Sequence, residues 1–436
     1  MAHGPRKRQY PIITALRKTP PAPTTVADTH DPTEVAMMLC EIGIALVEVS
    51  QPTPIVEQRL VRIAARYTSK PVRVVALPTV LMVQIGAQGD HIEGSTRSSL
   101  QLDAAGRIDH IAGLAEAGAI EPAAAIAAVK EARTLTPRFG RAASILGYAV
   151  TTVGFGMMIN PTWDSLPGYL FLGLVVGAIV QFATAFPSLT PILPTLSASI
   201  VTVLAIWFVA DTANDGLLRV ISPALVATLP GMALTTGAME LANSQIISGS
   251  SRLVYGISQL ALLVFGVVIG TMIAGEVAPQ APSTQMGNWS LYVAIVVVAV
   301  GLSVYLSAPP GSLFWLMAAI AAALLSQQFA SKFFSTTHSG FLGAAVSVVF
   351  AMLASRIKTS PPAMVMLIAA FWSLVPGALS FMSVSEAATG GNADVASMSQ
   401  AGAAILSIAL GTLVGWSIFH TIDSHLPWSK TIDQQP

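Results

Sequence analysis

Four short signatures occur twice in this chain, in the same order and at nearly the same spacing, so the fold must accommodate two copies of one unit. Gln181-Phe182-Ala183-Thr184-Ala185-Phe186 returns as Gln328-Phe329-Ala330-Ser331-Lys332-Phe333. Pro230-Gly231, with Glu240 ten positions after the proline, returns as Pro376-Gly377 with Glu386. Ser258-Gln259 and Gly270-Thr271 return as Ser399-Gln400 and Gly411-Thr412. From Gln to Pro is 49 residues in the first copy and 48 in the second. Both copies lie in strongly apolar sequence, and paired apolar units with matched helix breakers point to a transporter.

Composition agrees. The mean hydropathy is +0.67 and only 10% of residues are charged, where a soluble protein carries roughly 25%. Most of that charge lies in residues 1–141. The formal net charge is zero, which offers no attraction to nucleic acid. Cys40 is the single cysteine, so an intramolecular disulfide is excluded. Residues 1–30 read as a disordered tail: Arg6-Lys7-Arg8 is followed by a polar, Pro-rich run with no apolar segment of the signal-peptide kind.

Residues 31–137 read as a small α+β domain. Asp31-Pro32-Thr33-Glu34 opens a helix that runs to about Glu48, and a second spans about Pro54–Tyr67. Val72–Ala76 and Val80–Ile85 are β-rich runs, with another strand expected near Ser98–Leu102. Helices over about Ile108–Ala117 and Pro122–Arg133 close the domain.

From Gly140 onward the sequence holds ten stretches that meet the requirement of about 20 apolar residues per membrane span: 141–160, 167–186, 191–210, 217–241, 253–274, 288–308, 312–331, 340–356, 362–386 and 398–420. The signatures fall on spans 2, 4 and 5 and again on 7, 9 and 10, which makes each repeat five spans, 138–280 and 281–420, followed by a short tail, 421–436. Five is odd. Consecutive copies therefore enter from opposite membrane faces, and the expected architecture is a mainly α-helical membrane protein of two inverted five-helix repeats. With both termini in the cytoplasm, Arg133, Arg138, Arg141, Arg252, Arg356, Lys358 and Lys430 fall on the inner side and only Arg219 and Lys332 on the outer. That orientation makes the α+β domain cytoplasmic.

Pro230-Gly231 and Pro376-Gly377 each interrupt a span. Proline removes an N–H and glycine eases unusual dihedrals, and in lipid such a break survives where the freed groups face protein, water or a ligand. Half-helix ends at mid-depth suit a zwitterionic amino acid, N–H groups to its carboxylate and carbonyls to its cation; a packing kink is the competing explanation. Glu240 and Glu386 are candidates for proton coupling or gating, since intramembrane carboxylates are costly. Their depth decides between that role and an interfacial one. Gln181 and Gln328 are polar candidates for substrate contact, against the alternative of helix–helix hydrogen bonding. His91, Asp90, Glu93, His110 and Asp109 fit no standard ligand spacing, so no metal or cofactor is expected, and no P-loop is present to drive transport with a nucleotide.

The layout resembles the threonine/serine exporter family of bacterial membrane proteins. The resemblance rests on Ala45-Leu46-Val47-Glu48-Val49, on Pro71-Val72-Arg73-Val74-Val75-Ala76-Leu77-Pro78-Thr79, and on Leu374-Val375-Pro376-Gly377 with Glu386, and it covers about residues 33–420. It implies a multi-pass protein of the bacterial inner membrane that exports threonine and serine on the proton-motive force. Some relatives split the two halves between separate polypeptides, in keeping with a boundary near residues 280–310. The domain here lacks a hydrolase-like catalytic set, which argues against an enzyme. An intramembrane enzyme with a regulatory domain and a passive small-solute channel are the alternatives, and a homo-oligomer is left open.

Overall fold

Helix α1 (Pro32–Glu48) starts where its cap is written: the Asp31 carboxylate accepts from the Thr33 N–H at 3.1 Å, and Pro32 takes a first-turn position that needs no N–H. The computed structural model describes residue 18 and residues 21–87, 91–95, 101–209, 216–275, 283–374, 376–388 and 395–425. After α2 (Thr53–Tyr67) come β1 (Val72–Ala76), β2 (Val80–Ile85) and β3 (His91–Gly94), an antiparallel sheet in the order β1-β2-β3 with Val74 opposite Val83 and Met82 opposite Ile92. Leu81, Val83 and Ile85 of β2 point inward, as the period of two requires. Helices α3 (Leu102–Glu116) and α4 (Pro122–Arg133) complete the domain.

The domain's core is built around α1, which packs on α2, α3, α4, β2 and β3. Leu39, Ile42, Leu46, Leu60, Ile63 and Leu81 are fully buried there, each worth about 1.5–3 kcal/mol of apolar burial. Charges close its edges in pairs. Arg133 grips the buried Glu48 with two bonds, Nε at 3.0 Å and Nη2 at 2.8 Å, and Arg59 bonds Asp109 at 2.6 Å and Glu116 at 2.9 Å.

Two expectations change in this region. The third strand is His91–Gly94, and Leu102, expected at the end of that strand, opens α3; residues 96–100 lie outside the described set. The end of the tail expected to be disordered also runs over the domain. Thr24 and Thr25 donate from their backbone N–H to Gly118 O at 2.8 and 3.0 Å, and Asp28 N–H donates to Tyr67 O at 2.9 Å.

The apolar remainder folds as helices α5 (Arg141–Ile159), α6 (Leu166–Ala185), α7 (Leu193–Phe208), α8 (Leu217–Leu225), α9 (Gly231–Ala242), α10 (Ile246–Ala274), α11 (Ser290–Tyr305), α12 (Leu313–Ala330), α13 (Thr336–Ala354), α14 (Ala363–Ser373), α15 (Pro376–Ala388) and α16 (Val395–His425). Among the described residues, eight helical stretches are long and apolar enough to cross a membrane, so this is a multi-pass membrane protein. One of the ten expected spans is short: the sixth, α11, has 16 residues, about 24 Å of helix against a hydrocarbon core of about 30 Å. The fourth and the ninth are interrupted at their Pro-Gly pairs, the fourth into α8 and α9 and the ninth into α14 and α15.

The helices pack in corresponding pairs. α5 lies on α6 and α8 while α11 lies on α12 and α14; α7 lies on α8 and α10 while α13 lies on α14 and α16. α9 packs on α10 and α16, and α15 packs on α16 and α10. The repeated Gly-Thr signature marks two of these contacts. A Cβ at Gly270 would press on Ser199 and Thr202 of α7, and one at Gly411 on Phe341 of α13. In both copies glycine lets the two backbones approach, as small residues do in membrane helix pairs.

Candidate functional site

The two Pro-Gly breaks meet. Gly231 and Gly377 are both buried, and a Cβ built on Gly377 would stand 3.0 Å from Leu229 Cβ, 3.1 Å from Gly231 N and 3.2 Å from Gly231 Cα. α9 starts at Gly231, with Pro230 (φ −81°, ψ 30°) as its N-cap and no side chain capping it; α15 starts at Pro376. Of Pro376 only the backbone is described, and Val375 lies outside the described residues. Two helix N-termini, each with first-turn N–H groups lacking intrahelical acceptors, thus converge inside the helical bundle. Thr235, in the second turn of α9, is buried, and among the described residues its Oγ1 has no hydrogen-bond partner.

What stabilises the break before Pro230 is a residue absent from the sequence expectations. Tyr148 of α5, fully enclosed, donates its hydroxyl to Ala224 O at 2.6 Å and accepts from Ala227 N–H at 3.3 Å. These are the backbone groups that the end of α8 releases, and in a bilayer they need a protein partner. Tyr305 packs edge-on against Tyr148 at 4.9 Å, and Trp372 of α14 lies 6.3 Å from Tyr305. The Tyr-Tyr-Trp cluster therefore joins the two broken spans.

Glu240 has a different environment from that expected of a mid-membrane carboxylate. It is completely buried, and its Oε1 accepts from the Thr53 N–H at 3.0 Å and the Thr53 hydroxyl at 3.1 Å. Arg252 Nε of α10 reaches both oxygens, at 3.2 and 3.1 Å. Thr53 opens α2 of the N-terminal domain, whose N-cap Pro52 supplies no side-chain bond, so Glu240 caps that helix from across the domain boundary. The turn after α9 completes the joint: Gln245 Nε2 donates to Glu57 Oε2 at 3.0 Å, and Ser248 Oγ to Ala76 O at 3.4 Å. Burial raises the pKa of the Glu57 carboxyl above its ordinary range. Neither Thr53 nor Arg252 was singled out as a partner, because nothing in sequence spacing links residues so far apart.

Glu386 is not the structural twin of Glu240. It is exposed near the end of α15, and residues 359–429 contain no Lys or Arg that would match Arg252. The two glutamates share a sequence position and not an environment. Gln181 is half-buried close to the end of α6, and Gln328 is exposed close to the end of α12. Their neighbours repeat more closely. Phe182 contacts Phe186 at 4.7 Å and Phe329 contacts Phe333 at 5.2 Å, all four rings exposed, as suits aromatic anchors at a membrane edge.

In the N-terminal domain, Asp109 is paired with Arg59, and no group of three or more His, Cys, Asp or Glu residues could hold a metal among the described residues. Asp90, and with it part of the expected polar set, lies outside the described residues.

Residues 37–274, just over half of the chain, match the family model described as "Putative threonine/serine exporter". The match takes in the α+β domain and the helices through α10. A stretch of 128 residues is 30% identical to Pheromone-regulated membrane protein 10 of Debaryomyces hansenii, covering 29% of this chain but 13% of that protein. No solved structure matches the chain.

Proposed function

The chain belongs to this threonine/serine exporter family, and from that premise we propose that it exports threonine and serine as a secondary active transporter coupled to the proton-motive force. The observation that carries the reading is the junction of Gly231 with Gly377, where the N-termini of α9 and α15 meet. Each terminus favours an anion by about 0.3–1 kcal/mol, and by up to about 2 kcal/mol when partly buried. The substrate carboxylate sits there, its ammonium turns to the carbonyl ends of α8 and α14, and Thr235 Oγ1 takes up its hydroxyl. An unpaired buried hydroxyl costs about 1–3 kcal/mol, which a substrate hydrogen bond offsets. That offset favours hydroxy amino acids over their aliphatic analogues.

The two copies act as inverted repeats of five spans each, with α8 and α9 counting as one broken span and α14 and α15 as another. The matched packing pairs support this arrangement. Substrate moves by alternating access, with Gln181 and Gln328 as polar contacts at opposite mouths of the path. Glu386, exposed and lying in a stretch, residues 359–429, without Lys or Arg, is the proton-coupling carboxylate; Glu240 gates. The membrane is the bacterial inner membrane, with the α+β domain and both termini cytoplasmic. The basic residues Arg252 and Arg356 lie on the side that carries this domain, as the positive-inside rule asks.

Proteoliposomes loaded with labelled threonine test this. An imposed pH gradient is expected to accelerate efflux of threonine and serine and to leave leucine inside. Equal efflux with and without the gradient removes the coupling, and failure to move either hydroxy amino acid removes the substrate assignment.

A further inference from the structure

The N-terminal domain holds both copies of the duplicated unit at once. On the first copy it grips the α9–α10 turn through Thr53 to Glu240, Glu57 to Gln245 and Ala76 to Ser248. On the second copy the start of α3 donates two backbone N–H groups to the turn after α11, Leu102 to Leu306 O at 2.9 Å and Asp103 to Ser307 O at 3.2 Å. Leu102 is buried in the same apolar cluster as Leu302, Ala308 and Val365, and a Cβ at Gly106 would lie 3.3 Å from Pro309. Lys18 adds its N–H to Arg356 O and its ammonium to Ser360 O, both at 2.9 Å, on the turn before α14.

Between those two grips lies a domain with its own continuous core, so it is a stiff body and not a tether. Two of its helices present bare N-termini to the membrane helices, one to a carboxylate and the other to carbonyls. The carboxylate contact is the polar one with a built-in counter-ion: when Thr53 leaves, Glu240 retains Arg252 and is not stranded. The α3 contact, reinforced by apolar burial, has no such substitute. The two grips therefore differ in how readily they release.

We propose that the N-terminal domain is a strap that ties the two repeats together on the side it covers, and that opening that side requires release of Thr53 from Glu240 while the α3 grip persists. α9 runs from the Pro-Gly junction to Glu240, so letting go at one end frees the half-helix whose other end faces the substrate. The strap rests on the alternating-access reading above, and it assigns the domain a gating role in place of an enzymatic one.

The test places spin labels on Ser250→Cys, beside the first grip, and Lys358→Cys, beside the second, both exposed in the native chain. Cys40 is buried, which leaves the two introduced thiols to react. Pulsed EPR on the purified full chain reads the distance between them. Thr53→Pro removes the N–H and the hydroxyl together at a first-turn position that accepts proline. A single narrow distance is expected in the parent, and a second, longer population in Thr53→Pro. Glu240→Gln, which weakens the same bonds from the other side, is expected to give the same second population and carries the test if Thr53→Pro does not fold. One unchanged narrow distance in whichever variants fold overturns the strap. Threonine efflux measured on the same variants separates the two claims: a broadened distance with no efflux in any protein sinks the transport reading alone, and unchanged distances with normal efflux sink the strap alone.

Discussion

Thr53 and Glu240 are separated by 187 positions in the chain and joined by two hydrogen bonds, both fully buried, so that a membrane-helix carboxylate serves as the cap of a domain helix. Removing one partner of a buried charge pair costs about 3–5 kcal/mol, because Arg252 and the Thr53 donors are left without it. Glu240→Ala is therefore expected to lower the melting temperature of the purified protein sharply. Glu386→Ala, at an exposed site, should stay within about 0.5 kcal/mol of the parent. Equal losses would contradict the assignment of different environments to the two repeat positions.

Gly377 has no room for a side chain against Leu229 and Gly231, at 3.0–3.2 Å. Gly377→Val is expected to spread the junction, abolish threonine efflux and cost about 1–3 kcal/mol as overpacking. Gly402→Ala is the control, since among the described residues a Cβ there meets nothing within 4 Å, and it should transport normally. Efflux from Gly377→Val at the parent rate would mean that the junction is a packing kink.

Tyr148→Phe keeps the ring and loses the hydroxyl that serves Ala224 and Ala227. Two buried backbone groups are then unpaired, at about 1–3 kcal/mol. A lower melting temperature together with weakened threonine binding is expected, because the released backbone leads into Pro230. Unchanged binding and stability would show that the break needs no such partner.

Burial pushes the Cys40 thiol up to about 12, from an ordinary value of 9.0. The folded state therefore prefers the protonated form. That preference is fully present below pH 9 and is lost as pH rises from there through 12. Maleimide labelling of the native protein at pH 8 should be slow and should rise only when denaturant unfolds the domain. Rapid labelling in the native state would contradict the burial.

The elements of the domain were legible because β-branched alternation marks Val72–Ala76 and Val80–Ile85, and Asp31 and Pro122 mark helix starts. The third strand was not: His91–Gly94 offers Ile92 as its one β-favouring residue, and pairing with β2 places it there. Among the site residues, Pro-Gly duplication led to the junction, because backbone chemistry is local. The partners of Glu240 were hidden for the opposite reason. Its sequence symmetry with Glu386 says nothing of Thr53 or Arg252, which reach it only through the tertiary fold. Tyr148 likewise carries no local sign that it serves a break some eighty residues on.

The most direct measurement of the central claim uses Thr228→Cys, a half-buried position inside the break between α8 and α9. Its modification by a small thiol reagent would be followed in proteoliposomes, with the buried Cys40 as a silent background. Threonine and serine are expected to slow the reaction in a saturable way, and leucine to leave it unchanged. No protection by either hydroxy amino acid, or equal protection by all three, would contradict a substrate site at the Gly231–Gly377 junction.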